Sequence, residues 1–236
     1  MDRHIVALGG GGFSMESGWS ALDGYALRLT RKRRPRVCFV PTASGDSPEY
    51  VKKFLRAFRG RAETSFLSLF RRDARDVREF LLSQDVIYVG GGNTANLLAV
   101  WRLHGVDVIM REAWRRGVVL TGISAGMLCW FGSCVTDSFG PLARLDDGLG
   151  LLAGSACPHY DGEAGRRPTY RRLVREGLPG GYAADDFAAL HFVGRRLHAC
   201  VASRAGAGCY RVRRVRGRVV EEAIATRLLR GSCGGG

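Results

Sequence analysis

Gly122, Ile123, Ser124, Ala125 and Gly126 form a G-x-S-x-G run directly after the apolar stretch Val118, Val119, Leu120, Thr121. A serine on a tight strand-to-helix turn has its hydroxyl lifted clear of the sheet, and small flanking residues are needed because a Cβ there would strike neighbouring backbone. The same turn aims the N–H of Ala125, backed by the positive end of a following helix, at an oxyanion formed beside Ser124. A second small-residue loop, Gly90, Gly91, Gly92, Asn93, Thr94, also follows an apolar run, DVIYV. Its N–H groups suit a second oxyanion donor, with Gly91 and Gly92 as candidates and Thr94 as a helix cap. A phosphate loop is a poorer fit, since both the G-x-x-x-x-G-K-[ST] lysine and the G-x-G-x-x-G spacing are missing. The glycine run 9–12 either binds an anion or lets the chain turn.

A nucleophilic serine needs a base, and the base needs an acid to hold its tautomer. Of the five histidines, His159 stands out: Pro158 precedes it and the polar turn residues Asp161, Gly162 and Glu163 follow closely. His4, His191 and His198 fall in strand-like runs and His104 ends a helical pattern. The acid is open on the residues alone. Asp137, Asp161 and Glu163 are candidates, and so is the pair Asp185 and Asp186 in YAADDFAAL, since two acids in a short turn between strand-like runs do not fit a core.

Strand-like runs at 5–8, 37–40, 86–89 and 118–123, with a weaker one at 64–69, alternate with helical patterns at 21–30, 48–58, 74–83, 94–101 and 106–115. That alternation predicts a mostly parallel sheet with helices on both faces, which brings the Gly90 and Ser124 loops to its carboxyl edge, where open α/β sheets bind ligands. After the serine, residues 127–131 read as a helix-like apolar segment. Beyond about residue 149 the runs shorten (181–184, 188–192, 197–203, 208–215, 219–223) and read as strands and hairpins completing the sheet, with one helix near 168–176. No repeat or linker divides the chain, so residues 1–230 are expected to form a single domain followed by a flexible tail, 231–236.

The 236 residues are 46% hydrophobic and 25% charged, the balance of a globular protein. No apolar run approaches the ~20 residues of a membrane span, and the apolar stretch at the N-terminus is too short for a secretory signal, so a cytoplasmic protein with no membrane association is expected. The formal charge is +14, but 33 of the 36 basic residues are arginines spread through the chain. The tightest cluster, 31–36, reads as a solvated connection, and no nucleic-acid-binding motif accompanies it. Seven cysteines without a C-x-x-C pair read as reduced core thiols, and no histidine spacing supports a metal site. No cofactor is expected.

GGGNT, followed about thirty residues on by G-x-SAG, then a Pro-His pair, then an acidic turn before a strand, resembles the peptidase E / cyanophycinase family of serine peptidases, which includes aspartyl dipeptidases. The resemblance runs from the first glycine turn to about residue 202. It implies a flavodoxin-like, class I glutamine amidotransferase-like α/β fold and a Ser, His, acid order along the chain. Ser124 becomes the nucleophile, His159 the general base, and the family's acid, usually glutamate, falls on Asp185. The N–H groups of Ala125 and of Gly91 or Gly92 become the oxyanion donors. Asp137 sits where aspartyl dipeptidases carry an aspartate of functional weight. Arg167, with Arg166 and Arg171 as rivals, matches the arginine that holds an acidic substrate side chain. The implied activity is hydrolysis of small peptides, dipeptides with N-terminal Asp among them, by a monomer or homodimer. Two alternatives stay open: an α/β-hydrolase-type esterase with Ser, Asp, His order, using Asp137 and His159 or His191, and a catalytically silent ligand-binding member of the same scaffold.

Overall fold

Successive residues of the first strand face two different cores. In the computed structural model, which describes residues 2–73 and 75–230, Ile5 and Ala7 join one apolar cluster while Val6 and Leu8 join another. All four are fully buried. This period of two is the signature of a strand covered on both faces. The expected tail at 231–236 lies outside the described residues.

The elements run β1 (His4–Leu8), α1 (Gly12–Met15), α2 (Ala21–Arg28), β2 (Arg36–Val40), α3 (Pro48–Phe58), β3 (Glu63–Phe66), α4 (Val77–Leu82), β4 (Val86–Val89), α5 (Thr94–Leu103) and α6 (Val106–Arg115). They continue with β5 (Val119–Ile123), α7 (Ala125–Leu128), β6 (Phe131–Thr136), β7 (Ala143–Leu145), β8 (Leu152–Cys157) and α8 (Arg166–Arg175). The last are β9 (Gly181–Ala184), β10 (Ala188–Val193), β11 (Arg196–Ala202), β12 (Cys209–Val215), β13 (Arg218–Ile224) and β14 (Thr226–Leu228). One sheet has the order β14-β11-β10-β1-β5-β4-β2-β3, and its β1, β5, β4, β2 and β3 are mutually parallel. Phe13 of α1, Leu22 of α2 and Phe54 of α3 pack on one face, and Leu81 of α4, Trp101 of α5 and Met110 of α6 on the other. The α/β architecture is the one expected.

The second half differs from expectation. Only β10, β11 and β14 extend the first sheet, whereas β13-β12-β9-β8-β6-β7 form a second sheet. The reason lies in which faces are apolar. Phe131, Leu152 and Ala156 share a core with Ile5, Ile87 and Leu120 of the first sheet, while Val135, Cys157 and Val212 pack with Tyr170, Leu173 and Val174 of α8. A layer with two apolar faces must be covered twice. The helix-like segment 127–131 is corrected as well: α7 ends at Leu128 and the chain enters β6 at Phe131.

All six described cysteines are buried and free, in keeping with core thiols, and burial pushes Cys38 and Cys134 up to about 12. In the 31–36 segment, Lys32 and Arg36 both pair with Asp85.

His191 is buried in β10 between Tyr25, whose hydroxyl lies 2.7 Å from Nδ1, and His4, whose Nδ1 lies 3.0 Å from Nε2. Burial, and then the neighbouring His4 and His198, depress its pKa to about 4. The native state therefore stays neutral at His191 while the unfolded chain takes up a proton below about pH 6.5. Stability from this residue is intact above that pH and is lost as pH falls toward 4. Urea unfolding at pH 7.5 and 4.5 is expected to show a fall about 2–3 kcal/mol larger for wild type than for His191→Gln. An equal fall in the two proteins would refute the assignment.

Candidate active site

The turn after β5 holds Ser124 at φ 54° and ψ −111°, a conformation that L-residues rarely adopt. It is fixed from both sides: Ser124 N–H donates to the Leu8 carbonyl at 3.1 Å, and its own carbonyl accepts from Met127 N and Leu128 N at 2.8 and 3.0 Å. The flanking glycines are required by close approach. A Cβ at Gly122 would lie 2.6 Å from the Gly126 carbonyl oxygen, and one at Gly126 would lie 2.3 Å from that of Val89.

His159 follows β8 in a second positive-φ position, φ 50°, with its N–H on the Gly9 carbonyl at 3.2 Å. Its Nε2 is 2.9 Å from Ser124 Oγ, and its Nδ1 is 2.6 Å from Asp186 Oδ1. The imidazole and carboxylate are each about five-sixths buried, at 15% and 16% exposure, so their interaction is only weakly screened. Asp186 is itself oriented, because its N–H donates to Asp161 Oδ1 at 2.8 Å.

The expectation that Asp185 is the acid beside His159 is corrected in position by one residue. Asp185 points the other way, accepting from Gly208 N at 2.9 Å and from the Tyr210 hydroxyl at 3.1 Å. Burial raises its carboxyl above the ordinary range. Asp185 and Asp186 are consecutive residues of the short turn between β9 and β10, and their side chains leave it in different directions, Asp185 to Gly208 and Tyr210 and Asp186 to His159. The carboxylate that contacts His159 lies after it in sequence, so the three side chains that meet run Ser124, His159, Asp186, whereas the esterase alternative expected the order Ser, Asp, His. His191, that alternative's second choice of base, is engaged with Tyr25 and His4.

The glycine run 9–12 also finds its use. A Cβ at Gly9 would lie 2.3 Å from the Ala184 carbonyl oxygen, and one at Gly10 would lie 1.9 Å from Asp186 Oδ1. A Cβ at Gly162 would lie 2.1 Å from Asp186 Oδ2. These glycines let the acidic turn dock against the end of β1 with its carboxylate under the imidazole. Glycine at 9, 10 and 162 is the sequence signal of that close approach.

A cleft of about 440 Å³ opens onto Ser124 and His159, lined also by Ser14, Ser44, Tyr50, Lys53 and the glycines Gly91 and Gly92. Within the Gly90 loop, Gly90 N donates to the Val40 carbonyl, Gly91 N to the Tyr50 hydroxyl at 3.3 Å, and Asn93 N to the Ala43 carbonyl. Gly92 N–H is left without an acceptor among the described residues. Ala125, as the first residue of α7, has no intrahelical acceptor for its N–H. The helix cap is Asn93, whose side chain accepts from Asn96 N, and not Thr94.

Neither Asp137 nor Arg167 lines this cleft. Asp137 is exposed and lies 3.6 Å from Arg166, which also reaches Glu163 at 2.6 Å. Arg167 pairs with Glu221 and lies over the rings of Tyr160 and Tyr210, and Arg171 also reaches Glu221, at 3.1 Å. Glu221 accepts from the Tyr160 hydroxyl at 2.6 Å as well, so this cluster ties α8 and β13 to the residue after His159. A larger cleft, about 620 Å³, lies at the amino ends of the strands and is lined by Arg31, Lys32, Asp85 and Arg116. Among the described residues, no serine or cysteine lines it.

The sequence model of peptidase family S51 matches residues 5–200. The chain belongs to peptidase family S51. It is a serine peptidase of the peptidase E type. It is 51% identical over 229 residues to an uncharacterized peptidase, YgaJ, of Bacillus subtilis (strain 168), a match that covers 96% of this chain and 99% of that one. It is 28% identical over 170 residues to peptidase E of Pasteurella multocida (strain Pm70), covering 68% and 72%. Among solved structures, a peptidase from an acI-B1 Actinobacterium superposes with a TM-score of 0.69 at 17% identity, covering 96% of this chain and 95% of that one. A protein assigned to peptidase E from Listeria monocytogenes EGD-e gives 0.63 at 21% identity, covering 84% and 98%. At these identities the two structures speak for the fold. Among the described residues, no helix of this S51 peptidase is long and apolar enough to cross a membrane.

Proposed function

We propose that this S51 peptidase hydrolyses small peptides through an acyl-enzyme, with Ser124 as nucleophile, His159 as general base and Asp186 as the acid that orients it. The observation that carries the reading is the continuous chain from Ser124 Oγ through both ring nitrogens of His159 to Asp186, at 2.9 and 2.6 Å. His159 Nε2 takes the hydroxyl proton as Ser124 Oγ attacks the scissile carbonyl. Asp186 stabilises the imidazolium that forms. The N–H groups of Ala125 and of Gly92 or Gly91 hold the tetrahedral oxyanion; Gly91 would exchange its long contact with the Tyr50 hydroxyl for the stronger charged acceptor. The imidazolium then protonates the leaving amine, and water, activated by the same base, releases the acyl group.

The size of the cleft agrees with a short peptide substrate. The narrower reading, dipeptides with N-terminal Asp held by Arg167, has less support, because Glu221 already engages that guanidinium. The test is twofold: mapping the site of covalent labelling by a fluorophosphonate, and measuring hydrolysis of a panel of dipeptides and aminoacyl p-nitroanilides that includes Asp. Labelling at Ser124 with turnover on the panel is the expected result. A folded protein that neither labels at Ser124 nor turns over any member would sink the proposal.

A further inference from the structure

The elbow and the histidine supply the reacting groups, but another wall of the cleft is α3. Ser47, Tyr50 and Lys53 recur every three residues and line the cleft, while Val51, Phe54 and Phe58 of the same helix are buried in the core. Phe54 stacks on Phe39 with ring centroids 4.7 Å apart, which fixes the helix against the sheet. Two contacts to Ser14 then fix the cleft-facing side: the Tyr50 hydroxyl donates to Ser14 Oγ at 2.9 Å, and Lys53 Nζ donates to the Ser14 carbonyl at 2.6 Å.

Lys53 differs from the other two lysines of the chain. Lys32 lies 2.8 Å from Asp85 and Lys52 lies 2.7 Å from Glu49, whereas Lys53 has no carboxylate within ion-pair distance among the described residues. Nor does any aspartate or glutamate line the cleft. An ammonium group has three N–H donors, and the Ser14 carbonyl occupies one. The cleft that opens onto Ser124 therefore offers an exposed cation with spare donors and no carboxylate partner, and no lining carboxylate to pair with a substrate's free amino group.

We propose that Lys53 is a specificity-determining residue that binds a carboxylate of the substrate, either the C-terminal carboxylate of a small peptide or an acidic side chain. The inference rests on the peptidase reading of the same cleft. It adds the substrate feature that the cleft selects: a negative charge positioned by α3, independently of the arginines of α8. A charge-assisted hydrogen bond from a helix already anchored at Ser14 loses little freedom on binding.

The experiment is calorimetric binding of Leu-Leu, Asp-Leu and their C-terminal amides to Ser124→Ala, with and without Lys53→Met or Lys53→Arg. Lys53→Met is expected to weaken the ligands that bear the recognised carboxylate by on the order of ten- to a hundred-fold, with Leu-Leu amide unchanged and Lys53→Arg restoring most of the loss. A loss that separates acids from amides assigns the terminal carboxylate, and one that follows Asp assigns the side chain. Equal binding of all four ligands with and without Lys53→Met would overturn the proposal, as would no binding of any of them to the parent. Fluorophosphonate labelling of wild type judges Ser124 separately, so a failed nucleophile is not confused with a failed carboxylate site.

Discussion

Asp186→Asn is expected to lower kcat by about 10⁴-fold with little change in KM, while Asp185→Asn stays within a few-fold of wild type. The asymmetry follows from where the two carboxylates point. In the proposed triad Asp186 accepts the Nδ1 proton of His159, 2.6 Å away, which leaves Nε2 unprotonated and able to receive the Ser124 proton. Asparagine can present an N–H to the same nitrogen and favours the wrong tautomer, and it removes the charge that stabilises the imidazolium. Asp185 instead caps the turn by accepting from Gly208 N and Tyr210, and an asparagine oxygen can accept both bonds. Steady-state kinetics on one good peptide substrate, with circular dichroism to confirm folding, checks the pair. Similar losses in the two variants would return the acid to open choice.

Ser124→Ala is expected to cost about 10⁶-fold in kcat and to abolish fluorophosphonate labelling. The residual rate, which the oxyanion donors and binding sustain without a nucleophile, should remain above the uncatalysed reaction. The substitution removes one oxygen from a site whose turn is held by backbone bonds to Leu8, Met127 and Leu128, so the loss is chemical and not one of folding. Equal thermal midpoints with lost activity would establish that. Retained turnover in pure Ser124→Ala protein would mean that another group attacks.

What could be read from the sequence follows the strength of the local physics. β1, β2, β4 and β5 are short runs of β-branched and aliphatic residues that end in glycine or small polar residues, and burial on both faces makes such runs conspicuous. β8, with the sequence LAGSAC, is poor in residues that favour strands; it is held by pairing with β6 and β9 and by its neighbours across the core, none of which a local pattern reveals. The elbow at Ser124 was legible because its glycines answer a steric demand within five residues. The choice between Asp185 and Asp186 was not, since it turns on the direction in which one side chain leaves a turn docked against Gly9 and Gly10, about 175 positions earlier along the ~236-residue chain. The resemblance draws Arg167 toward the substrate, but its partner Glu221 lies in β13, beyond any signal near the arginine itself.

Six described residues other than glycine have positive φ, and three of them, Ser124, His159 and Phe187, belong to the loops that carry the proposed nucleophile, base and acid. Each such position holds backbone energy of about 1–3 kcal/mol that the surrounding contacts must offset. Glycine at any of the three would release it, so a search for heat resistance alone would favour changes at or beside the reacting groups. Thermal tolerance and turnover therefore pull in opposite directions in this peptidase, and hardening it for use must begin elsewhere: in the second sheet, at the surface arginines, or around His191.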